Sequence, residues 1–230
     1  IHKIMLCDDF VFMDIAKFRK RAFMHRNMIE INSAEHFLGL KVSKDSDLLN
    51  CDQVHLKNDN FNCLDEIVKK IDHSYKNSKY KSNLDEFLNF SFSSLKEYSL
   101  NHICKMQLKF FLKKFEIKIN LIDESNLINY QDLKLLNASE RLLKHAITTN
   151  SNIYITGINS TDYLNFDLFK KNKISNYIQN FNYNVFKEYQ ICSKPLSIIH
   201  QISNLGFENL KNILEKKQET KKEIIFNDRL

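Results

Sequence analysis

The chain is poor in the residues that build phosphate-binding loops. Its 230 residues include three glycines, one proline and no tryptophan. Dinucleotide and phosphate-cradling loops need two or three glycines within a few residues, because only a residue without Cβ lets the backbone approach a phosphate closely. Gly39, Gly157 and Gly206 lie far apart. The sequence therefore excludes a glycine-rich cofactor loop.

Cysteine and histidine occur without the spacings of a metal site or a disulfide framework. The five cysteines are an odd number with no C-x-x-C pair, and the eight histidines form no H-x-H, H-x-x-x-H or H-E-x-x-H pattern. Neither a zinc knuckle nor a disulfide scaffold is indicated. A G-x-S-x-G nucleophile elbow is also missing. We expect a reduced, cytoplasmic chain with no bound metal ion and no cofactor.

Long apolar runs are missing as well. No run approaches the roughly 20 residues that span a bilayer, and no signal peptide opens the sequence, so we expect no membrane insertion. The sequence begins at Ile1 rather than Met, and we expect an N-terminal segment to be missing. With 43% apolar and 27% charged residues the composition is that of a globular domain. The net charge of +6 is too modest to indicate a nucleic-acid partner by itself.

Hydrophobic periodicity predicts an α/β fold, with a mixed, mostly parallel sheet flanked by helices, an N-terminal β-rich portion and a helical middle. We expect residues 1–215 to form one domain and residues 216–230 a charged tail. Residues 32–35 are a plausible hairpin turn between two of the strands. The predicted strands cover residues 10–13, 28–31, 37–42, 118–122, 153–155 and 181–185.

Apolar spacing of three and four residues predicts two helices in the middle of the chain, and their apolar stripes are expected to be core that binds nothing. Asn137 with Glu140 three residues on resembles a capping box and predicts a helix start. Pro195 predicts a helix entry, and Gly206 predicts a left-handed cap before a further helix. The two predicted stripes are Leu84, Phe87, Leu88 and Leu95, and then Leu100, Ile103, Cys104, Leu108, Phe111, Leu112 and Phe115.

The most basic part of the chain covers residues 17–21 and continues to the Arg26-Asn27 pair. Its residues allow two interpretations: a strand edge protected by charge, or a cradle for phosphates. Asp14 follows a predicted buried strand. Because ligand sites in open α/β sheets gather at the carboxyl ends of strands, Asp14 is better placed than most carboxylates for a role in a site.

Six segments in order resemble the WbqC-like family, whose members are typically found with bacterial O-antigen and other surface-polysaccharide genes. The resemblance extends from about Asp8 to about Leu214, and its most specific parts are the Arg26-Asn27 pair, the stretch around Gly157 and residues 196–206. The segments read FVFMD, KFRKRAFMHRNMIEI, LKV, ASERLLKHA, YITGINSTDYLNFDLF and CSKPLSIIHQISNLGFENLKNIL.

The sequence also departs from the family pattern. The family usually opens with a strand that ends in Gln-Pro, followed by a turn with an aromatic residue, proline and glycine, and this piece is absent. His200 stands where an aspartate is usual. Residues 159–161 read Asn-Ser-Thr where the family usually has one or two further glycines.

The resemblance implies transfer of an aminoacyl group, glycine in particular, to the amine of a nucleotide-activated amino sugar. The expected partners are the nucleotide sugar and an activated glycyl donor of unknown identity, with a charged tRNA as one candidate. The rival interpretation is a non-catalytic protein of the same pathway whose basic run binds a phosphate-bearing ligand or RNA.

On the transfer hypothesis, Asp14 would hydrogen-bond the sugar or take the amine proton, and Arg26 would bind the diphosphate. Arg141 is equally well explained as a surface residue. The predicted catalytic set is Asp14, Asn27, Tyr163 and Ser197, and the predicted substrate-binding set is Lys17, Arg21, Arg26, Arg141, Gly157 and Asn204.

Overall fold

The structure is a computed structural model that describes residues 1–56, 60–93, 99–189, 196–216 and 221–223. The chain divides into two compact units. The first unit comprises Ile1–Met13, Lys118–Asn182 and Leu214–Leu230, and the second comprises Asp14–Ile117 and Tyr183–Ile213.

The described chain contains helices together with parallel and antiparallel strand pairs, which confirms the α/β class. The strands are β1 (Asp9–Phe12), β2 (Arg26–Ile31), β3 (Ala34–Gly39), β4 (Asn120–Asp123), β5 (Ile153–Gly157), β6 (Ser175–Gln179) and β7 (Lys221–Glu223). The α-helices are α1 (Asn60–Tyr75), α2 (Lys81–Ser93), α3 (Leu100–Lys114), α4 (Tyr130–Leu135), α5 (Ala138–Thr148), α6 (Phe166–Lys171) and α7 (Ile198–Lys216).

Parallel strand pairs build the first unit. β1 pairs with β4, and β5 pairs with β6 after the crossover through α6. β7, which falls in the predicted charged tail, runs antiparallel to β6. The helices cover a core of Leu143, Ala146, Phe169 and Ile174. The predicted strand at residues 10–13 is confirmed as β1, although its residues are half-buried rather than fully buried.

A hairpin and a helical layer build the second unit. β2 and β3 pair from Arg26 opposite Gly39 to Ile31 opposite Ala34. The turn residues Asn32 and Ser33 have φ of 50° and 62°, the left-handed values that a two-residue hairpin turn requires at both positions. The position of the predicted turn is therefore confirmed. The turn has two residues rather than the predicted four, because β3 already begins at Ala34.

The predicted stripe of α3 is core. Leu100, Ile103 and Phe111 are each at most 4% exposed. Phe87 of α2 packs on Phe111 with ring centroids 5.0 Å apart. Leu95, assigned to the other stripe, lies outside the described residues.

The predicted strand at residues 181–185 is wrong, because Tyr183–Tyr189 forms a 3-10 helix. Two adjacent residues of this helix, Val185 and Phe186, are both buried, whereas successive side chains of a strand point to opposite faces. Gly206 has φ of 73° and breaks the regular geometry inside α7 at the predicted position. Pro195 lies outside the described residues.

Candidate active site

The first unit contains a half-open cavity of about 560 Å³. β1 and its flanking residues line it, together with α5 and the first residues of β5. Ligand pockets in proteins are typically about 300–1,000 Å³, so the cavity has the size for a small-molecule substrate.

The start of α5 is fixed by the predicted capping box, which is confirmed. The Asn137 side chain accepts the Glu140 N–H at 3.0 Å, and the Glu140 carboxylate accepts the Asn137 N–H at 2.8 Å. A defined helix start sets the direction of each side chain that follows. Arg141 and His145 are four residues apart and lie on one face of α5, and His145 lines the cavity.

Glu124 lies directly after β4 with its side chain 0% exposed. Arg141 donates to both carboxylate oxygens of Glu124, from Nε to Oε1 and from Nη2 to Oε2. Nε2 of His145 lies 2.8 Å from the same Oε1. Burial alone would raise the pKa of Glu124, but the hydrogen bonds with His145 and Arg141 hold that pKa below its usual value. Glu124 is therefore ionised at neutral pH.

This arrangement determines which nitrogen of a neutral His145 carries the proton. An ionised carboxylate can only accept hydrogen bonds, so His145 donates to Glu124 from Nε2. Nδ1 then keeps its lone pair. A histidine oriented by a carboxylate in this way can act as a general base, and the carboxylate stabilises the imidazolium that forms.

Further polar groups lie in the cavity wall. Burial lowers the pKa of Lys3, and burial raises the pKa of Tyr154, whose hydroxyl is therefore a hydrogen-bond donor at neutral pH. Thr149 donates to the His145 carbonyl at 2.9 Å and shares a 2.8 Å hydrogen bond with Ser151. Within the described residues, no group of three or more His, Cys, Asp or Glu side chains could hold a metal ion.

Three of the predicted site residues lie in the first unit. Arg141 is not a free surface residue, because its side chain is 16% exposed and pairs with Glu124. Gly157 ends β5, and a Cβ placed there would meet no atom of the described residues within 4 Å, apart from its own chain neighbours. Tyr163 is 59% exposed. Only Arg141 among these three belongs to the side-chain cluster at the cavity.

The predicted basic residues lie in the second unit. Nη2 of Arg26 donates to the Arg21 carbonyl at 2.5 Å, and its guanidinium lies 4.5 Å from the centre of the Phe37 ring. Lys17 Nζ donates to the Leu48 carbonyl at 3.4 Å. The structure therefore brings Arg21 and Arg26 together, with the Arg26 side chain packed rather than extended into solvent.

The other predicted residues of the second unit make backbone contacts. The Ser197 N–H donates to the Met28 carbonyl at 2.7 Å, beside the exposed Asn27. The Asp14 carbonyl accepts from Asn101 at 3.1 Å. Asn204 Nδ2 donates to the His200 carbonyl at 2.8 Å, which is a contact within α7. The roles assigned to these residues stay predictions.

His200 is a buried partner of a tyrosine. Its Nδ1 lies 3.2 Å from the Tyr75 hydroxyl, and that hydroxyl accepts the Glu30 N–H at 3.1 Å. Burial lowers the pKa of His200, and burial raises the pKa of Tyr75 to about 12. Both groups are therefore neutral at pH 7, and the contact ties α1 to α7 and β2.

Glu124 and His145 were not among the predicted site residues. The available signal was the spacing of Arg141 and His145, four residues apart on a helix already predicted from its capping box. Two polar side chains at that spacing on one face indicate a shared partner. Their carboxylate partner comes from a different element, and no local pattern identifies it.

A sequence model of the WbqC-like protein family matches residues 1–212. The chain belongs to the WbqC-like family. Membership in this family supports an association of this protein with surface-polysaccharide gene clusters. The match includes Glu124, Arg141 and His145, so the cluster lies inside the WbqC-like region. No curated protein and no solved structure matches the chain. Among the helices of the described chain, none is long and apolar enough to cross a membrane.

Proposed function

We propose that this WbqC-like protein transfers an aminoacyl group, with glycine as the first candidate, to the amine of a nucleotide-activated amino sugar for surface-polysaccharide biosynthesis. The observation that supports a catalytic role is His145 in the wall of a cavity, with Nε2 held 2.8 Å from the fully buried carboxylate of Glu124. The substrates are the nucleotide sugar and an activated glycyl donor. We place the reaction in the cytoplasm and assign it no cofactor.

The chemistry needs a base. A protonated sugar amine has no lone pair, and the nitrogen must also lose a proton when it attacks the acyl carbon. His145 takes that proton on Nδ1 as the new C–N bond forms and the bond from the acyl carbon to the leaving group breaks. The same proton then passes to the leaving group. General-base catalysis of this kind contributes roughly 10²- to 10⁴-fold in rate.

Three further residues act around this step. Glu124 stays ionised and stabilises the imidazolium of His145, while Arg141 positions Glu124 through its two hydrogen bonds. Tyr154 lines the cavity and keeps its proton, so we assign its hydroxyl to the acyl oxygen, where negative charge develops in the transition state. Arg141 is on this account a positioning residue rather than a substrate ligand.

The test is a product search by mass spectrometry. The protein is incubated with a panel of nucleotide amino sugars and with three glycyl donors, namely glycyl-tRNA, a glycyl thioester and glycyl adenylate. His145→Asn is compared with His73→Asn, which replaces an exposed histidine of α1. We expect a glycylated nucleotide sugar from the wild type and from His73→Asn, and roughly 10²- to 10⁴-fold slower formation by His145→Asn.

Two results would contradict the proposal in different ways. Absence of a glycylated product with every donor would refute glycyl transfer. A rate for His145→Asn equal to that of the wild type would refute the assignment of the base. Circular dichroism of both variants checks that the substituted chains are folded.

A further inference from the structure

Two large aromatic rings lie exposed on the second unit. Phe23 is 59% exposed and Phe37 is 53% exposed, and their ring centroids are 5.9 Å apart with an interplanar angle of 44°. Exposed apolar area costs free energy in water, at about 25 cal/mol per Å², so two adjacent exposed rings indicate a surface that something covers.

The hairpin geometry points this pair away from the core. Phe37 is paired with Met28 across the hairpin. The next residue of β2, Ile29, is 1% exposed and lies on the opposite face, because side chains alternate along a strand. Ile29 is therefore directed toward the core, whereas Phe37 lies on the other face of the hairpin and is exposed.

The stretch of chain that carries Phe23 is positively charged. Residues 15–29 contain no aspartate or glutamate. Glu30 and Glu35 are paired near the turn, whereas Arg26 pairs with Gly39 at the other end of the hairpin and donates to the Arg21 carbonyl. Asp47, from outside this stretch, accepts the Lys20 N–H at 2.8 Å. The cations of the stretch are Lys17, Arg19, Lys20, Arg21 and Arg26.

Arg26 holds the aromatic ring in place. Its guanidinium lies 4.5 Å from the centre of the Phe37 ring, and Nη2 donates to the Arg21 carbonyl at 2.5 Å. A cation over one face of an aromatic ring is attracted by the ring quadrupole, which limits the movement of both side chains. The surface thus combines an ordered ring with several nearby charges.

We propose that Phe23, Phe37 and the basic residues 17–26 form a binding surface for single-stranded RNA. Bases stack on the exposed rings and phosphates lie against the cations, which is how proteins bind single strands without sequence preference. A lone nucleotide would bury little area on an open surface, whereas a strand reaches several cations at once. The choice of RNA rests on the proposed function, because a charged tRNA is one candidate glycyl donor; the surface itself belongs to the other unit of the chain.

The test is fluorescence anisotropy with a labelled RNA of about 12 nucleotides, within the range of single-strand binding sites. The same sequence is also measured as duplex RNA and as single-stranded DNA. Phe37→Ala and Phe23→Ala remove one ring each, and Leu135→Ala is the matched control, since Leu135 is an 81% exposed apolar residue of the first unit. Arg21→Ala removes one cation, and Lys171→Ala, an exposed cation at the end of α6, is its control.

We expect each ring substitution to weaken RNA binding at least about fivefold without changing its salt dependence, because stacking involves no counterions. Arg21→Ala should reduce the slope of log K against log salt by about 0.7, the value for one phosphate contact on a single strand. Both control variants should bind as the wild type does. Duplex RNA should bind more weakly, because its bases are already stacked.

Three results would overturn the proposal. They are no RNA binding at low salt, equal binding of duplex and single-stranded RNA, and an equal loss of affinity in Leu135→Ala and Phe37→Ala. Tighter binding of DNA than of RNA would refute the choice of RNA. RNA binding without any glycyl product would refute the proposed function and leave this surface intact, so the two failures are distinguishable.

Discussion

Replacing Glu124 by glutamine keeps the size of the side chain and removes its charge. The carboxylate is 0% exposed, and it accepts two hydrogen bonds from Arg141 and one from His145. The substitution leaves the Arg141 guanidinium, itself only 16% exposed, without a counter-charge. Removing one partner of a buried ion pair costs about 3–5 kcal/mol, because the remaining charge stays buried and uncompensated.

The loss of stability in Glu124→Gln depends on pH and is larger at neutral than at acidic pH. The pKa of Glu124 is lowered in the folded protein, so the folded state favours the ionised carboxylate. Its contribution is complete above the unfolded-state pKa of about 4.3 and disappears as the pH falls through the lower folded-state value. The stability difference between wild type and Glu124→Gln should therefore be full at pH 7 and should shrink below about pH 4.

Thermal unfolding followed by far-ultraviolet circular dichroism measures this difference, since the chain has no tryptophan for fluorescence. A loss of about 3–5 kcal/mol corresponds to a decrease of about 6–20 °C in Tm for a chain of this length. Glu208→Gln, at an exposed position of α7, is the matched control and should leave Tm unchanged. A Tm for Glu124→Gln within about 2 °C of the wild type at pH 7 would refute the buried ion pair.

Three further substitutions, one of them a control, test the glycine conformations and the cap of α5 by thermal unfolding. Gly206→Ala should destabilise by about 1–3 kcal/mol or more, because Gly206 has φ of 73° and a Cβ there would lie 2.6 Å from the Tyr80 ring. Gly157→Ala, where a Cβ meets no described residue within 4 Å beyond its chain neighbours, should change stability by no more than about 1 kcal/mol. Equal losses at the two glycines would contradict this assignment. Asn137→Ala should cost about 1 kcal/mol, because it removes the side chain that caps α5, and an unchanged Tm would contradict the cap.

Local patterns predicted much of the secondary structure. The apolar stripe that contains Leu100 and Phe111 predicted α3, and the Asn137–Glu140 pair predicted the start of α5. These signals lie within a few residues of each other and are therefore visible in the sequence. The hairpin turn was placed correctly for the same reason, since Asn32 belongs to the small group of residues that tolerate positive φ.

Where local patterns failed, the deciding contacts are not local. Phe181, Tyr183 and Val185 alternate with polar residues as in a strand, but burial of the adjacent Val185 and Phe186 favours a 3-10 helix. The strand β6, with the buried polar residue Asn176, carries too few apolar residues to be recognised.

The cluster at the cavity could be predicted only in part, for the same reason. The sequence contains the Arg141–His145 spacing, but Glu124 follows β4 and precedes these two residues by 17 and 21 positions. Only the fold brings its carboxylate into contact with them. The predicted Arg141 lies in this cluster, paired with Glu124. Its assignment to substrate binding stays a prediction, and the positioning role is our proposal. The roles of the predicted residues in the second unit stay predictions.

The tautomer of His145, measured by nitrogen-15 NMR of histidine-labelled protein at about pH 8, tests directly whether Glu124 orients the proposed base. We expect a protonated Nε2 that donates to Glu124 and a bare Nδ1 that can accept a proton. Glu124→Gln should weaken that preference, because a glutamine side chain can donate as well as accept. A His145 with its proton on Nδ1 and a bare Nε2 would refute this arrangement, because Glu124 would then not orient His145 as the base for acyl transfer.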